Sequence, residues 1–159
     1  GKPGYALVVD GKGYTERTYM GDLMTSAAKA IGFNGIVVDG FVRDREGLEE
    51  LELPVFSRGF MQRSPMKKGP GKINVPVTCG GITVNPGDLV IGDYDGVTVI
   101  PRERILEVLE KAEGKNDYEL KRRETIEEYA RCRAQGKELP NIAPRILNSY
   151  IKDVSNTTI

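Results

Sequence analysis

Two near-copies of one pentapeptide, Leu7-Val8-Val9-Asp10-Gly11 and Ile36-Val37-Val38-Asp39-Gly40, flank a single amphipathic stretch. That arrangement restricts the fold more than any other feature of the chain. Tyr5–Asp10 and Gly35–Asp39 are short apolar runs rich in β-branched residues, and each predicts a strand buried on both faces. Between them, Leu23, Met24, Ala27, Ala28 and Ile31 recur at helical spacing, which predicts a helix over residues 22–31. Gly32 stands where a helix C′ glycine belongs. Strand, helix and strand in so short a span make a βαβ unit, with parallel pairing and a right-handed crossover. The repeated Asp-Gly predicts that both strands leave the sheet through similar turns.

The pattern then changes twice. Arg45–Leu53 predicts a short helix with Leu48 and Leu51 inward, and Pro54–Phe60 a further strand. Residues 61–72 are a Pro/Gly/Lys loop without the spacing of a phosphate-binding Walker motif. Ile73–Pro101 predicts short strands with turns at Gly80-Gly81, Asn85-Pro86-Gly87 and Asp95-Gly96. Asp93 and Asp95 are turn residues on this reading, since the spacing of an EF-hand loop is missing. From Arg102 the chain is charged and helical. One helix has Ile105, Val108 and Leu109 on its inner face, a second covers roughly 116–135, and residues 136–159 form an extended arm. The expected architecture is mixed α/β, a layered sandwich or small barrel, with a principal domain over 1–115 and a C-terminal helix and arm over 116–159.

Composition narrows the chemistry. The 159 residues include no histidine, so a Ser-His-Asp triad and histidine-ligated zinc or iron sites are excluded. Cys79 and Cys132 are too far apart in sequence for a Cys-x-x-Cys motif. Lys and Arg number 23 against 23 Asp and Glu, which argues against a dedicated nucleic-acid or membrane-surface binder. The longest apolar runs are far shorter than the roughly 20 residues of a membrane helix. No signal-peptide pattern opens the sequence, and the cytoplasm is the expected compartment. Asn156-Thr157-Thr158 matches a glycosylation acceptor by chance on that reading.

In parallel βαβ units, ligands bind beyond the carboxyl ends of the strands, against the helix N-termini. Gly21-Asp22-Leu23-Met24 opens the first helix, where free N–H groups and the helix dipole suit a small carboxylate. Arg43 can grip a carboxylate with two parallel N–H···O bonds. Asp44 is a hard oxygen ligand for a cation such as Mg²⁺, and Asp22 could orient its waters. Each has a plainer alternative. Asp22 could simply cap the helix, and Arg43-Asp44, with Arg45 and Glu46 beside them, could be a solvated turn. Tyr14, Thr15 and Arg17 could line the same cleft, though nothing in their spacing assigns them.

Taken together, the motifs resemble the RraA-like family. Its members include 4-hydroxy-4-methyl-2-oxoglutarate and 4-carboxy-4-hydroxy-2-oxoadipate aldolases and the regulator of ribonuclease E activity; some carry an old label as demethylmenaquinone methyltransferases. The resemblance is carried by Gly21-Asp22-Leu23-Met24 with Ala27-Ala28-Lys29, by Gly35–Gly40, and by Val42-Arg43-Asp44. It continues through Leu53–Gly59, Asn74–Val77, Gly80-Gly81, Pro86-Gly87-Asp88 and Asp93–Val97. The aldolase-type spacing of Asp, twenty residues, then Arg-Asp is met by Asp22, Arg43 and Asp44.

The resemblance implies a β/β/α fold of the swivelling-domain kind, assembled as trimers or hexamers with active sites between subunits. It implies Mg²⁺ or Mn²⁺ bound directly by Asp44 and through waters near Asp22. Pyruvate would be held by Arg43 and the backbone from Gly21 to Met24. The implied activity is a class II pyruvate aldolase acting on 4-hydroxy-2-oxo-dicarboxylates, with oxaloacetate decarboxylation beside it. Arg43 and Asp22 would be the catalytic side chains, and no lysine Schiff base is called for. A neighbouring subunit would add an acid, for which Glu119 and Glu124 are candidates. The family pattern also has several dozen residues ahead of the strand at Tyr5, so 1–115 is expected to lack the N-terminal part of the domain. The alternative function is a non-catalytic, protein-binding regulator of the ribonuclease type; the acid at position 44 favours the lyase. A methyltransferase is disfavoured, because Gly11-Lys12-Gly13 is too short for a cofactor loop.

Overall fold

The computed structural model describes residues 2–145 and 147. The chain divides into two compact units, one ending at Ile105 and one beginning at Leu106.

The first unit is built on a three-stranded parallel sheet in the order β1-β2-β3, from Ala6–Thr18 (β1), Gly35–Val42 (β2) and Val55–Phe60 (β3). Helix α1, Asp22–Ile31, joins β1 to β2, and the short α2, Arg45–Glu50, joins β2 to β3. Helix α1 begins and ends where its apolar stripe predicts. Gly32 closes it at φ 97°, and its N–H bonds the Lys29 carbonyl, the left-handed ending that a glycine adopts without steric cost. Helix α2 is shorter than expected and stops at Glu50.

The predicted exits at Asp-Gly do not occur. Strand β1 runs on to Thr18 and β2 to Val42, so Asp10-Gly11 and Asp39-Gly40 lie inside strands. The register shifts between Val9 and Tyr14, and again between Val38 and Phe41. These irregularities take up the extra residues, with Lys12 and Gly13 at positive φ. The repeated glycines have a packing cause instead. A Cβ on Gly11 would stand 2.3 Å from the Asp39 carbonyl oxygen, and one on Gly40 would stand 2.5 Å from the Tyr19 ring. Tyr19 lies against both glycines, and its hydroxyl donates to the Gly11 carbonyl at 2.7 Å.

Met20, Ala28, Ile36, Val38, Val42, Leu48 and Leu53 form one buried cluster, with Leu7, Val9, Tyr19, Phe33, Leu51 and Val55 packed against it. The central strand β2 contributes three of the seven, whereas β1 is mostly half-buried rather than covered on both faces. Ile36 is fully buried, worth about 1.5–3 kcal/mol relative to exposure.

Two hairpins follow: β4 (Val77–Cys79) with β5 (Ile82–Val84), and β6 (Leu89–Asp93) with β7 (Gly96–Ile100). Gly80 and Gly81 both have positive φ, as the tight two-residue turn of a twisted hairpin requires. Asp93 and Asp95 are turn residues, the Asp95 N–H donating to Asp93 Oδ1 at 2.8 Å. A 3-10 turn at Arg102–Arg104 precedes the last helix.

In the second unit the two expected helices are one. Helix α3 runs without a break over Ile105–Ala134. Gly114 sits inside it, a tolerated cost of about 1 kcal/mol relative to alanine. Ion pairs Glu107–Lys111 and Lys115–Glu119 support it at helical spacing. Of the arm predicted over 136–159, residues 136–144 are irregular, and most of the remainder lies outside the described residues.

Candidate functional site

Two connections of the parallel sheet meet at one rim. After β1 the chain passes through Tyr19 and Met20 into Gly21 and α1. After β2 it passes through Arg43 and Asp44 into α2. The Arg43 N–H bonds the Met20 carbonyl at 3.1 Å, and the Tyr19 N–H bonds the Phe41 carbonyl at 2.9 Å. These backbone bonds set Gly21, Asp22, Arg43 and Asp44 side by side.

Gly21, not Asp22, is the N-cap residue of α1. Asp22 lies in the first helical turn, and its Oδ1 accepts the Leu23 N–H at 2.7 Å. Asp44 is the N-cap residue of α2 but makes no capping bond to its own helix. Its Oδ2 faces the other helix instead, 3.4 Å from the Asp22 amide nitrogen and 3.2 Å from Arg43 Nε. To hold that position Asp44 adopts φ 60° and ψ 49°. This left-handed conformation is uncommon for a residue with a Cβ, and such departures gather at functional sites. Gly21 makes the approach possible: a Cβ there would stand 2.1 Å from Asp44 Oδ2.

Arg43 Nη1 donates to the Ser64 hydroxyl at 2.5 Å. Its Nε is buried with no aligned acceptor, because the 3.2 Å approach to Asp44 lacks hydrogen-bond geometry. That contact is therefore an ion pair rather than a hydrogen bond. Leu23 and Met24 are exposed at 80% and 59%. They offer backbone at the helix start, while their side chains form an apolar lip.

Among the described residues no three or more acidic, cysteine or histidine side chains converge on a common point. A cation that demands an all-protein cage is not served here. Mg²⁺ commonly takes one or two carboxylates and keeps several waters, and a partly exposed Asp44 with Asp22 on the same rim fits that donor set. Glu119 and Glu124 lie on α3 in the second unit.

The sequence reading missed a second polar cluster. Asp39 is buried in β2; its Oδ1 accepts Arg58 Nε–H, and its Oδ2 accepts the Gly80 N–H at 3.1 Å. The Arg58 guanidinium holds the Asp39 carboxyl below its usual range, against the opposing effect of burial. Burial, with Asp39 adding to it, pushes the nearby Cys79 thiol up. This cluster borders a cavity of about 380 Å³, lined mainly by apolar side chains such as Val8, Val37, Phe56, Val84 and Val99. The cavity is not at the Asp22–Arg43–Asp44 rim. The cavity is an apolar space bordered at one end by the ion pair of the buried Asp39 with the half-exposed Arg58. An aspartate within an otherwise apolar strand was the available signal for Asp39.

The model for the RraA-like family, described as aldolase/RraA, matches residues 1–99. A candidate 4-hydroxy-4-methyl-2-oxoglutarate aldolase of Halalkalibacterium halodurans is 46% identical over 113 residues, 71% of this chain and 54% of that protein. A crystal structure of an uncharacterized protein from Pseudomonas syringae superposes with TM-score 0.77 at 32% identity, covering 80% of this chain and 64% of that one. A Streptomyces coelicolor protein, described as an unusual member of the RraA family of ribonuclease inhibitors, gives TM-score 0.70 at 32% identity. It covers 84% of this chain and 64% of its own. The chain spans about half the length of the curated relatives it matches.

Proposed function

Because the chain belongs to the RraA-like family, we propose that it is a divalent-metal-dependent carbon–carbon lyase. On this reading it cleaves 4-hydroxy-2-oxo-dicarboxylates to pyruvate in the cytoplasm, with oxaloacetate decarboxylation as a side reaction. The observation that carries the reading is the placement of Asp44. Its carboxylate is held in a left-handed backbone conformation against Gly21 and Arg43 instead of capping its own helix. Positive φ also occurs at the exposed Lys12, Glu52 and Asn74, so what supports the reading is the contact of the Asp44 carboxylate with Gly21 and Arg43.

Asp44 would hold Mg²⁺ or Mn²⁺ directly, with waters completing the shell near Asp22. When bound, the cation supplies Lewis-acid polarisation of the 2-oxo and carboxylate oxygens, an effect of several kcal/mol. The amides from Gly21 to Met24 would orient the carboxylate of the pyruvate half. Breaking the bond beside the 4-hydroxyl, or losing CO₂ from oxaloacetate, leaves the enolate of pyruvate. Arg43 places a fixed positive charge where that oxygen becomes negative. Asp22 is set to hold a water that carries the proton, removing it from the 4-hydroxyl and returning it to the methylene carbon. The exposed Leu23 and Met24 beside the site support an assembly in which a second subunit, in a trimer or hexamer, covers the rim. Among the described residues no helix is long and apolar enough to cross a membrane.

A non-catalytic regulator is the competing reading, favoured by the likeness to an unusual member of the RraA family of ribonuclease inhibitors and to a protein described as an RNA-processing inhibitor. A lactate-dehydrogenase-coupled pyruvate assay with 4-hydroxy-4-methyl-2-oxoglutarate and oxaloacetate separates the two. The lyase reading expects turnover with Mg²⁺, its loss in EDTA, and its loss in Asp44→Ala. Turnover indifferent to EDTA and to Asp44→Ala would sink the metal mechanism, and no turnover at all would favour the regulator.

A further inference from the structure

Residues 61–72 form an irregular loop, yet hydrogen bonds hold three of its first four residues, Met61, Arg63 and Ser64. The Met61 N–H bonds the Val42 carbonyl at 3.0 Å. The Thr18 N–H and hydroxyl both donate to the Arg63 carbonyl, at 3.0 and 3.1 Å. Ser64 then receives two arginines from different strand ends. Arg43 Nη1 donates to its hydroxyl at 2.5 Å, and Arg17 Nη1 donates to its carbonyl at 3.0 Å. The guanidinium groups of Arg17 and Arg43 are thus bridged by the atoms of a single residue.

We infer that Arg17 is the specificity-determining contact for the distal carboxylate of the substrate, and that Ser64 is the residue that positions both arginines. The inference rests on the 2-oxo-acid reading of the rim given above and names what lies at the far end of the substrate. Arg43 faces Asp44 and the start of α1, where the pyruvate half belongs. Arg17 reaches the same Ser64 from β1, through the carbonyl of that residue rather than its hydroxyl. A guanidinium has five N–H donors in a rigid fork. The Ser64 carbonyl takes one from Arg17, and that bond fixes the plane of the fork while leaving donors for a carboxylate. A lysine would bring charge without that plane. The bridge also explains why the loop is anchored at Ser64: displacement of this residue would re-aim both cations together.

Calorimetric titration of the full chain, with Mg²⁺ present, tests this using two ligands that the enzyme cannot cleave. These are 2-oxoglutarate and 2-oxopentanoate, equal in carbon number and differing in the distal carboxylate. The wild type is expected to prefer 2-oxoglutarate at least tenfold. Arg17→Met should abolish that preference and leave the affinity for 2-oxopentanoate within twofold of wild type. Ser64→Ala should weaken both ligands, and Ser64→Thr, which restores the hydroxyl, should recover them. A preference that survives Arg17→Met, or equal weakening of both ligands by that variant, overturns the assignment of Arg17 while leaving the 2-oxo-acid site standing. Unchanged binding in Ser64→Ala overturns the positioning role. Failure of the wild type to bind either ligand removes the 2-oxo-acid reading itself, and this inference with it.

Discussion

Gly21 and Asp44 are in such close contact that one added carbon on the glycine would stand 2.1 Å from the aspartate Oδ2. The glycine is not there for its backbone: its φ of −142° and ψ of −164° are extended and open to any residue. It is there for space. Gly21→Ala is therefore expected to displace the Asp44 carboxylate and the Arg43 stem, which a Cβ would meet at 2.9 Å, without melting the sheet. Activity should fall about 100-fold in kcat/KM, equivalent to about 2.7 kcal/mol of transition-state stabilisation. Far-ultraviolet circular dichroism should stay unchanged. An alanine variant with wild-type turnover would show that the Asp44 position is immaterial.

Removing the cation and removing its ligand should have the same effect. Asp44→Asn keeps the size and one oxygen but loses the charge, so Mn²⁺ affinity, read by electron paramagnetic resonance, should drop at least tenfold. Arg43→Lys keeps the charge but loses the planar fork that reaches both Ser64 and the rim. It should leave Mn²⁺ affinity nearly intact and still lower kcat by about 10²-fold, the size of effect seen on losing one preorganised oxyanion donor. Equal effects of the two substitutions on Mn²⁺ binding would contradict separate roles for the two residues.

The parallel half of the fold was legible because its signals are local. Helix α1 carries its own stripe and its own terminating glycine, and β2 is an apolar run that only a central strand can use. The rim residues could be nominated for a similar reason, since Gly21-Asp22 opens the helix that carries the apolar stripe and Arg43-Asp44 comes shortly after the second strand. The contacts that bind distant segments were not legible. Asp39-Gly40 reads as a turn because nothing nearby shows that Arg58 and Gly80, far along the chain, will satisfy its carboxylate. Ser64 lies in a loop whose composition indicates flexibility, and only the folded positions of Arg17, Thr18 and Arg43 tie it down. The unbroken α3 was misread at Gly114-Lys115, where a weak helix former lies inside a pattern that its ion pairs sustain.

Asp39 makes the parallel sheet acid-sensitive. Its hydrogen bond with Arg58 lowers its pKa in the folded chain below the unfolded value. A depressed carboxyl pKa contributes stability that is complete above the unfolded pKa of about 4 and is lost as pH falls through the lower, folded value. Melting temperature should therefore decline below about pH 4. In Asp39→Asn it should be a few degrees lower at pH 7, with a flatter decline in acid. The same variant removes a negative charge beside Cys79, so the thiol pKa, raised by burial and by Asp39, should fall. Iodoacetamide should then label Cys79 faster at pH 8. A steeper acid decline in Asp39→Asn than in wild type would reverse the sign and refute the linkage.

The twin glycines offer a graded test of packing around Tyr19. The hydroxyl of Tyr19 bonds the Gly11 carbonyl, so Tyr19→Phe should cost about 1 kcal/mol, the net worth of one such bond. Gly40→Ala sets a methyl group against the Tyr19 ring at 2.5 Å. The ring can shift by giving up its hydroxyl bond, which places the cost at about 1–3 kcal/mol, the usual range for overpacking. Gly11→Ala is worse, because the first atom its methyl meets is the Asp39 carbonyl oxygen at 2.3 Å. Backbone held in the central strand cannot move aside without breaking the pairing of β1 with β2. Urea unfolding should rank the three Gly11→Ala, then Gly40→Ala, then Tyr19→Phe, from most to least damaging. In the double variant Gly40→Ala/Tyr19→Phe the costs should sum to less than the two singles, since a ring already free of its bond yields more easily. A Gly11→Ala variant as stable as wild type would mean that the two strands do not approach at Asp39, and the register through both Asp-Gly repeats would have to be redrawn.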